Sequence, residues 1–146
     1  MRSYAFCPIT ESKINERVTR VNAVLTLLML IAFALTQNVV LMGVLAVDFF
    51  FRAIPYSKFS LVVMTSRNLV KYFPDDVSLI NAGPKIFAAR IGALITVLIV
   101  LSMAFSLSSL AIALTGLLGI FAFLEGAFGI CVACKIYPYL YDLLYK

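Results

Sequence analysis

The sequence contains no histidine and no tryptophan, and only 13% of its 146 residues are charged. Without histidine there is no His-based general acid–base catalysis, no Ser-His-Asp or Cys-His nucleophile pair and no histidine metal ligand. The apolar fraction is 63%, whereas a typical soluble domain is about 45–50% apolar. So few polar residues could not cover an apolar core in water. We therefore expect an integral membrane protein that has lipid as its solvent.

Four long apolar runs follow one another along the chain, and each predicts a transmembrane helix. Backbone groups in lipid must be satisfied within the segment, and at these lengths that leaves helices as the reasonable structure. A bilayer core of about 30 Å needs roughly 20 helical residues, so the second run lies near the lower limit. The short links "TQN" and "SLSS" predict two helical hairpins. The predicted spans cover residues 18–37, 39–54, 86–105 and 107–134 of one membrane domain, residues 1–146.

The segment between the two predicted hairpins has the pattern of an amphipathic helix over residues 58–73, with Pro55 and Pro74 on either side. Its apolar face would lie in the membrane interface. A solvated loop is the alternative. The fold class predicted from the sequence is an all-α integral membrane bundle of four transmembrane helices with this interfacial helix between spans two and three. The residues that share the apolar face at helical spacing are Phe59, Val62, Val63, Ser66, Val70 and Phe73.

The basic residues predict the orientation of the chain. In a four-span arrangement, all twelve Lys and Arg residues fall on or near the face that holds both termini and the middle segment, and the two short links carry none. Cytoplasmic loops hold the excess of Lys and Arg in membrane proteins. We therefore expect both termini in the cytoplasm, with the net charge of +5 against the anionic inner leaflet. The basic residues are not gathered in a soluble module, so a nucleic-acid partner is not expected.

Three cysteines are candidates for chemistry. Cys131 and Cys134 form a Cys-x-x-Cys pair after the fourth run, and Cys7 lies in the N-terminal segment "FCPIT". Such pairs typically serve thiol redox chemistry or metal binding. The predicted topology places all three at the cytoplasmic face, where a permanent structural disulfide is not expected. The alternatives are inert apolar cysteines and a thiolate site for Cu(I) or Zn, the latter needing a fourth ligand.

Four charged residues within the spans are the next candidates. Asp48 and Arg52 stand at positions i and i+4, so they can form an ion pair on one helix face. Arg90 and Glu125 are predicted to form a second pair that locks the hairpins together. Glu125 also precedes Cys131 by roughly 9 Å along a helix. It could therefore pass protons to and from a thiol, and the structural and catalytic roles can coexist.

The end of the fourth span decides the electrostatic setting of the thiols, and the sequence leaves it open. If one helix continues through Cys134, the thiols lie at its C-terminal end, where the helix dipole disfavours a thiolate. If the helix breaks at Gly126 or Gly129, a new segment begins near Cys131 and the setting is reversed. A second open question is the small-residue face made by Gly119, Ala122, Gly126 and Gly129, which would suit close helix packing within one chain or in a homo-oligomer.

Several motifs together resemble a family of small bacterial membrane proteins catalogued as domain of unknown function 4395. They are "FCPIT…VN", "DFFFRA…SKFS", "AGPKIFAARIG" and "LEGAFGICVACKIY", and the last is the most specific. The resemblance extends from Cys7 to about Tyr137. It implies a small multi-helix membrane protein, thiol or sulfur chemistry, and thioredoxin-like or rhodanese-like partners.

The function predicted from the sequence is a membrane protein whose cytoplasm-facing thiols take part in thiol–disulfide exchange or in persulfide relay. Cys131 and Cys134 would react, Cys7 would act as a resolving or relay thiol, and Glu125 would transfer protons. No cofactor is required by the sequence, although a quinone, copper or zinc would be compatible with it. The alternatives are a transport or accessory subunit for a sulfur compound, and a helical scaffold with structural cysteines.

Overall fold

A computed structural model of the chain describes residues 13–54, 57–73 and 78–145. Within these ranges the chain folds into six α-helices, a short 3-10 turn and two short strands. The helices are α1 (Glu16–Thr36), α2 (Val39–Ala53), α3 (Leu61–Val70), α4 (Ala82–Ala104), α5 (Ser108–Phe128) and α6 (Val132–Tyr145). The strands are β1 (Lys13–Asn15) and β2 (Leu79–Asn81), and the 3-10 turn is Ser57–Phe59.

Asparagine caps determine where α1, α2 and α4 begin. The side chains of Asn15, Asn38 and Asn81 accept hydrogen bonds from backbone N–H groups in the first turns of α1, α2 and α4. Asparagine is among the favoured N-cap residues because its side chain can satisfy such an N–H group. The cap at Asn81 starts α4 at Ala82, ahead of the predicted start at Ile86. Pro84 then falls in the first turn, where a backbone N–H has no helical partner in any case.

Three helices, α1, α4 and α5, are long and apolar enough to cross a membrane by length and composition. Their outer surfaces carry many exposed large apolar side chains, including Leu35, Leu94 and Ile120. Such a surface suits contact with lipid, because a water-soluble monomer rarely exposes large apolar patches. α2 has 15 residues, which at 1.5 Å per residue span roughly 22 Å. It is therefore shorter than the other three.

The core of the bundle is formed where the two hairpins meet. α2 packs along α4, and α1 packs along α5. The approach of α2 to α4 is close at Gly92, where an added Cβ would lie 2.5 Å from Cε1 of Phe49. The buried cluster between the hairpins consists of Leu30, Phe33, Met42, Leu45, Phe49, Ile95, Ile99, Ala111 and Leu118.

Two features of the connecting segments differ from the prediction. The described chain is all-helical in class, as predicted, but β1 and β2 add a short antiparallel ladder that was not predicted, and Glu16 N–H donates to the carbonyl of Ser78 at 2.9 Å. This ladder holds together the segments that lead into α1 and α4. The helix predicted over residues 58–73 is also shorter, since Ser60 caps α3 by accepting from Val63 N–H at 3.2 Å.

The face of α3 that was predicted to be apolar is divided between the bundle and its surface. Val62, Val63 and Ser66 are buried, and α3 packs against α1. Phe59 and Phe73, which were predicted on the same face, are exposed. Both lie outside the bounds of α3, so helical spacing does not apply to them.

Candidate thiol site and adjoining cavity

The span predicted over residues 107–134 ends earlier, because the backbone leaves α5 at Gly129. This residue has φ of 67°, a left-handed conformation that glycine adopts without strain. The N–H of Gly129 donates to the carbonyl of Glu125 at 3.0 Å, and that of Ile130 donates to the carbonyl of Leu124 at 3.2 Å. A side chain at Gly129 would also collide with Arg20, whose Nη2 lies 2.5 Å from the position of a Cβ. The backbone conformation is what favours glycine here, because the guanidinium end of the exposed Arg20 side chain can move aside.

Cys131 caps the next helix. α6 begins at Val132, directly after Cys131. The Cys131 carbonyl accepts from Lys135 N–H at 3.2 Å, and its Sγ accepts from Cys134 N–H at 3.3 Å. A helix N-terminus carries a partial positive charge and free N–H groups, so a thiolate formed at Cys131 would be stabilised there. Of the two arrangements that the sequence left open, the structure has the broken helix.

The two thiols of the motif are joined in the structure. Cys131 and Cys134 form a disulfide with their Cα atoms 5.1 Å apart. Cys7, the predicted relay thiol, lies outside the described residues. Within the described ranges no three His, Cys, Asp or Glu side chains come together as a metal ligand set.

A cavity of about 460 Å³ lies between the helices next to the disulfide. Residues of α1, α2, α4 and α5 line it, together with Cys131 and its two successors. Cys134 is not part of the lining, so Cys131 is the half of the disulfide that the cavity reaches. Apart from residues of β1, the polar and charged side chains in the lining include Asn22, Thr26, Arg52, Arg67, Lys85 and Glu125.

Glu125 forms an ion pair, and its partner is Lys85 in the first turns of α4. The predicted partner, Arg90, lies further along α4, where its Nε donates to the carbonyl of Ala53 at 3.4 Å. The prediction of an Arg90–Glu125 pair was therefore wrong. Glu125 lies near the C-terminal end of α5, next to the beginning of α4, so the cation nearer the start of α4 is within its reach. The Lys85–Glu125 pair links α4 and α5, the two helices of one hairpin, and so does not by itself lock the two hairpins together.

Asp48 and Arg52 form the predicted pair, and it extends into a larger network. Arg52 Nε donates to Asp48 Oδ2 at 2.7 Å, and the guanidinium also lies 4.6 Å from the centre of the Phe49 ring. The other oxygen, Asp48 Oδ1, accepts from Ser60 Oγ at 2.7 Å and from Val62 N–H at 3.1 Å.

This network ties three helices together. Arg52 Nη2 donates to Thr26 Oγ1 on α1 at 3.2 Å. Asp48 on α2 holds the start of α3, and Arg52 on α2 holds the middle of α1. A carboxylate that accepts this many hydrogen bonds can remain charged when it is only 4% exposed. The network forms one wall of the cavity through Thr26 and Arg52.

Comparison with known proteins assigns the chain to a family. A family profile described as "Domain of unknown function (DUF4395)" matches residues 14–142. The chain belongs to the DUF4395 family. No curated protein and no solved structure gives a significant match. The resemblance inferred from the sequence motifs is thus confirmed, and it carries no assigned reaction with it.

Two residues of the DUF4395 site were missed in the sequence. Lys85 was placed in the connecting segment because the N-cap at Asn81 was not recognised, although "NAGP" carries an Asn cap followed by Pro in the first turn. Asn22 was passed over as one polar residue in an apolar run. Its Oδ1 is buried without a hydrogen-bond partner among the described residues, which a sequence cannot show.

The ion pair in this DUF4395 chain gives a testable coupling. Lys85 and Glu125 side chains are 16% and 21% exposed. Replacing either by alanine leaves the other charge half-buried and unpaired, so we expect the double variant to be milder than the sum of the single variants by about 1–3 kcal/mol. Unfolding by SDS in mixed micelles measures the three free energies of unfolding.

The exposed pair Arg20–Glu16 serves as the matched control for this cycle. Its side chains are 46% and 30% exposed, and exposed i,i+4 pairs couple by only about 0.3–0.5 kcal/mol. Additive effects of Lys85→Ala and Glu125→Ala would contradict the pairing.

Proposed function

We propose that this chain is a membrane thiol protein in which Cys131 and Cys134 alternate between disulfide and dithiol at the cytoplasmic face. The observation that supports the proposal most strongly is the position of Cys131. It caps α6, lines the cavity and bonds to Cys134. A cysteine at a helix N-terminus within a Cys-x-x-Cys motif is the usual position for the reactive thiol in disulfide exchange.

The exchange step follows from this geometry. An incoming thiolate attacks Cys131 Sγ, a new S–S bond forms to Cys131, and the Cys131–Cys134 bond breaks with its electron pair on Cys134. A second thiol of the substrate then releases Cys131 and leaves as a disulfide, so two electrons and two protons pass to the protein. If the incoming nucleophile is hydrosulfide, the first step leaves a persulfide on Cys131, which is the sulfur-relay form of the same chemistry.

Four spans and a cytoplasmic site are part of the proposal. α2 is short, but it pairs with α1 through a tight turn and packs along α4, which suits a fourth span through the bundle. α3, between α2 and α4, would then lie at the cytoplasmic interface. The described basic residues all lie near one end of α1, α2, α4 and α5 or in the segments next to that end. They are Lys13, Arg17, Arg20, Arg52, Lys58, Arg67, Lys71, Lys85, Arg90 and Lys135.

The partners would follow from the same chemistry. A thioredoxin-like or rhodanese-like protein at the cytoplasmic face could deliver or receive the thiol or the persulfide. In the proposed site Cys7 acts as the relay thiol and Glu125 carries protons. Glu125 is well placed for this because it lines the same cavity as Cys131.

Side-specific alkylation tests the proposal. In a Cys7→Ser background, the remaining thiols are Cys131 and Cys134. After reduction we expect a membrane-impermeant maleimide to label them in inverted membrane vesicles and not in right-side-out vesicles. Treatment with oxidised glutathione before labelling should protect both thiols and release reduced glutathione.

Two outcomes would contradict the proposal in different ways. Labelling from the periplasmic side alone would reverse the orientation. Thiols that stay reduced in the presence of oxidised glutathione would instead support structural cysteines in a scaffold. A variant with an altered lipid-facing side chain, Leu35→Ala, is a suitable control because Leu35 is exposed at the far end of α1.

A further inference from the structure

The cavity beside Cys131 has a lining that favours one class of small molecule. Apart from its polar residues, it is bounded by apolar side chains such as Phe49, Leu118 and Phe121. Its volume of about 460 Å³ falls in the range of small-molecule sites, about 300–1,000 Å³. A folded protein cannot enter such a space. The ligand is therefore a small molecule with an apolar body.

The charges around the cavity favour an uncharged ligand. Arg52 is neutralised by Asp48, and Lys85 is paired with Glu125. The two further cations in the lining, Lys13 and Arg67, are exposed, so water and salt screen them. Each of the two cations in the interior, Arg52 and Lys85, therefore already has an acidic partner.

Asn22 supplies a polar contact that the protein itself does not use. Its side-chain Oδ1 is buried without a hydrogen-bond partner among the described residues, and Asn22 lines the cavity. Buried polar groups are normally satisfied, so an unpaired one calls for an explanation such as a ligand. A carboxamide both donates and accepts. The unpaired Oδ1 can accept a hydrogen bond from a hydroxyl group of the reduced ring, and the NH2 group of the same carboxamide can donate to a carbonyl oxygen of the oxidised ring.

From these features we infer that the cavity binds a membrane quinone, which accepts the electrons of the Cys131–Cys134 dithiol. This inference rests on the proposed thiol–disulfide function and names its electron acceptor. A quinone is uncharged, has a flat apolar ring and carries two oxygens that change from acceptor to donor on reduction. It also dissolves in the hydrocarbon layer that surrounds the outer faces of these helices.

The reaction balances without a further reagent. The dithiol loses two electrons and two protons, and the S–S bond forms between Cys131 and Cys134. The quinone gains the two electrons and two protons, and its two carbonyl groups become the hydroxyl groups of the quinol. Cys131 is the sulfur nearest the ring because it lines the cavity, while Glu125 in the same lining is a group through which thiol protons can pass.

The experiment uses the full chain in nanodiscs of phospholipid that contain no quinone. The protein is reduced, freed of reductant, and mixed with a short-chain ubiquinone or a short-chain menaquinone. Their ring positions next to the carbonyls are substituted, which disfavours addition of a thiol to the ring. We expect one quinol to appear, by absorbance, for each disulfide that forms. Oxidised glutathione is the reference oxidant for the thiol pair.

Two variants locate the reaction in the cavity. Asn22→Leu keeps the volume but removes the carboxamide. We expect the rate with quinone, relative to that with oxidised glutathione, to fall roughly tenfold, as for one lost hydrogen bond. Ala88→Leu fills the cavity from α4 and should lower the same ratio. If one of these two variants fails to fold, the other still tests the cavity. Thr36→Val removes a hydroxyl from the far end of α1, outside the lining, and should leave the ratio unchanged.

The outcomes separate this inference from the proposed function. Oxidation by oxidised glutathione without quinone reduction would rule out the quinone as acceptor and leave thiol exchange in place. No oxidation by either reagent would overturn both. Quinol formation that is unaffected by Asn22→Leu and Ala88→Leu would show that the reaction does not take place in this cavity.

Discussion

The variant Asp48→Ala is expected to destabilise the folded bundle by about 3–5 kcal/mol, the usual cost of removing one partner of a buried ion pair. Arg52 would be left with its side chain only 10% exposed and without a counter-charge. The start of α3 would also lose two bonds, because Ser60 Oγ and Val62 N–H both donate to Asp48 Oδ1. Unfolding by SDS in mixed micelles, followed by circular dichroism, measures the change.

Two comparison variants separate the contributions to this effect. Asp142→Ala removes a carboxylate from an exposed position of α6, and we expect a change within about 0.5 kcal/mol. Asp48→Asn keeps an acceptor for Ser60 and Val62 but removes the charge that faces Arg52, so its effect should lie between the other two. A loss for Asp48→Ala no greater than for Asp142→Ala would show that the network is not a structural tie.

The helices were predictable because each apolar run is long and the chain has few alternatives in lipid. The short links at Gln37 and after Phe105 were predicted as tight connections, and a short connection joins the helices at each. The starts of α1 and α2, at Glu16 and Val39, lie close to the predicted starts at residues 18 and 39. The errors lie where one polar residue outweighs the apolar pattern. Ser60 and Asn81 each cap a helix, and both positions shift a boundary.

The partner of Glu125 could not be derived from the sequence. A helix with apolar residues all round has no strong face to fix its rotation about its own axis. α4 is such a helix, so the sequence cannot tell whether Lys85 or Arg90 is directed at α5. The pair Asp48–Arg52 was predictable because both residues lie on one helix, where the spacing alone brings them together.

The break at Gly129 was open in the sequence for a similar reason. Glycine permits a left-handed residue but does not require it, and Gly126 in the same stretch stays helical. The break depends on what surrounds it. Arg20 of α1 occupies the space beside Gly129, and α6 is held against α4 by the contact of Tyr137 with Phe87 at 5.6 Å between ring centres.

The break gives the two cysteines different roles, and replacing each by serine is expected to show it. Cys131→Ser should abolish exchange with small thiols and disulfides down to the uncatalysed background, because the sulfur that lines the cavity and caps α6 is lost. Cys134→Ser should retain a reactive Cys131, but no neighbouring thiol remains to release a bound substrate. We therefore expect a stable mixed disulfide on Cys131 after treatment with oxidised glutathione.

Mass spectrometry of the protein in a Cys7→Ser background measures the adduct directly, with peptide mapping to assign it to Cys131 or Cys134. Ala133→Ser is the matched control, because it places a hydroxyl in the same motif without removing a thiol. A stable adduct in Cys131→Ser and none in Cys134→Ser would reverse the assignment of the attacked sulfur. That result would also remove the reason for placing an electron acceptor in the cavity, since the cavity reaches Cys131 and not Cys134.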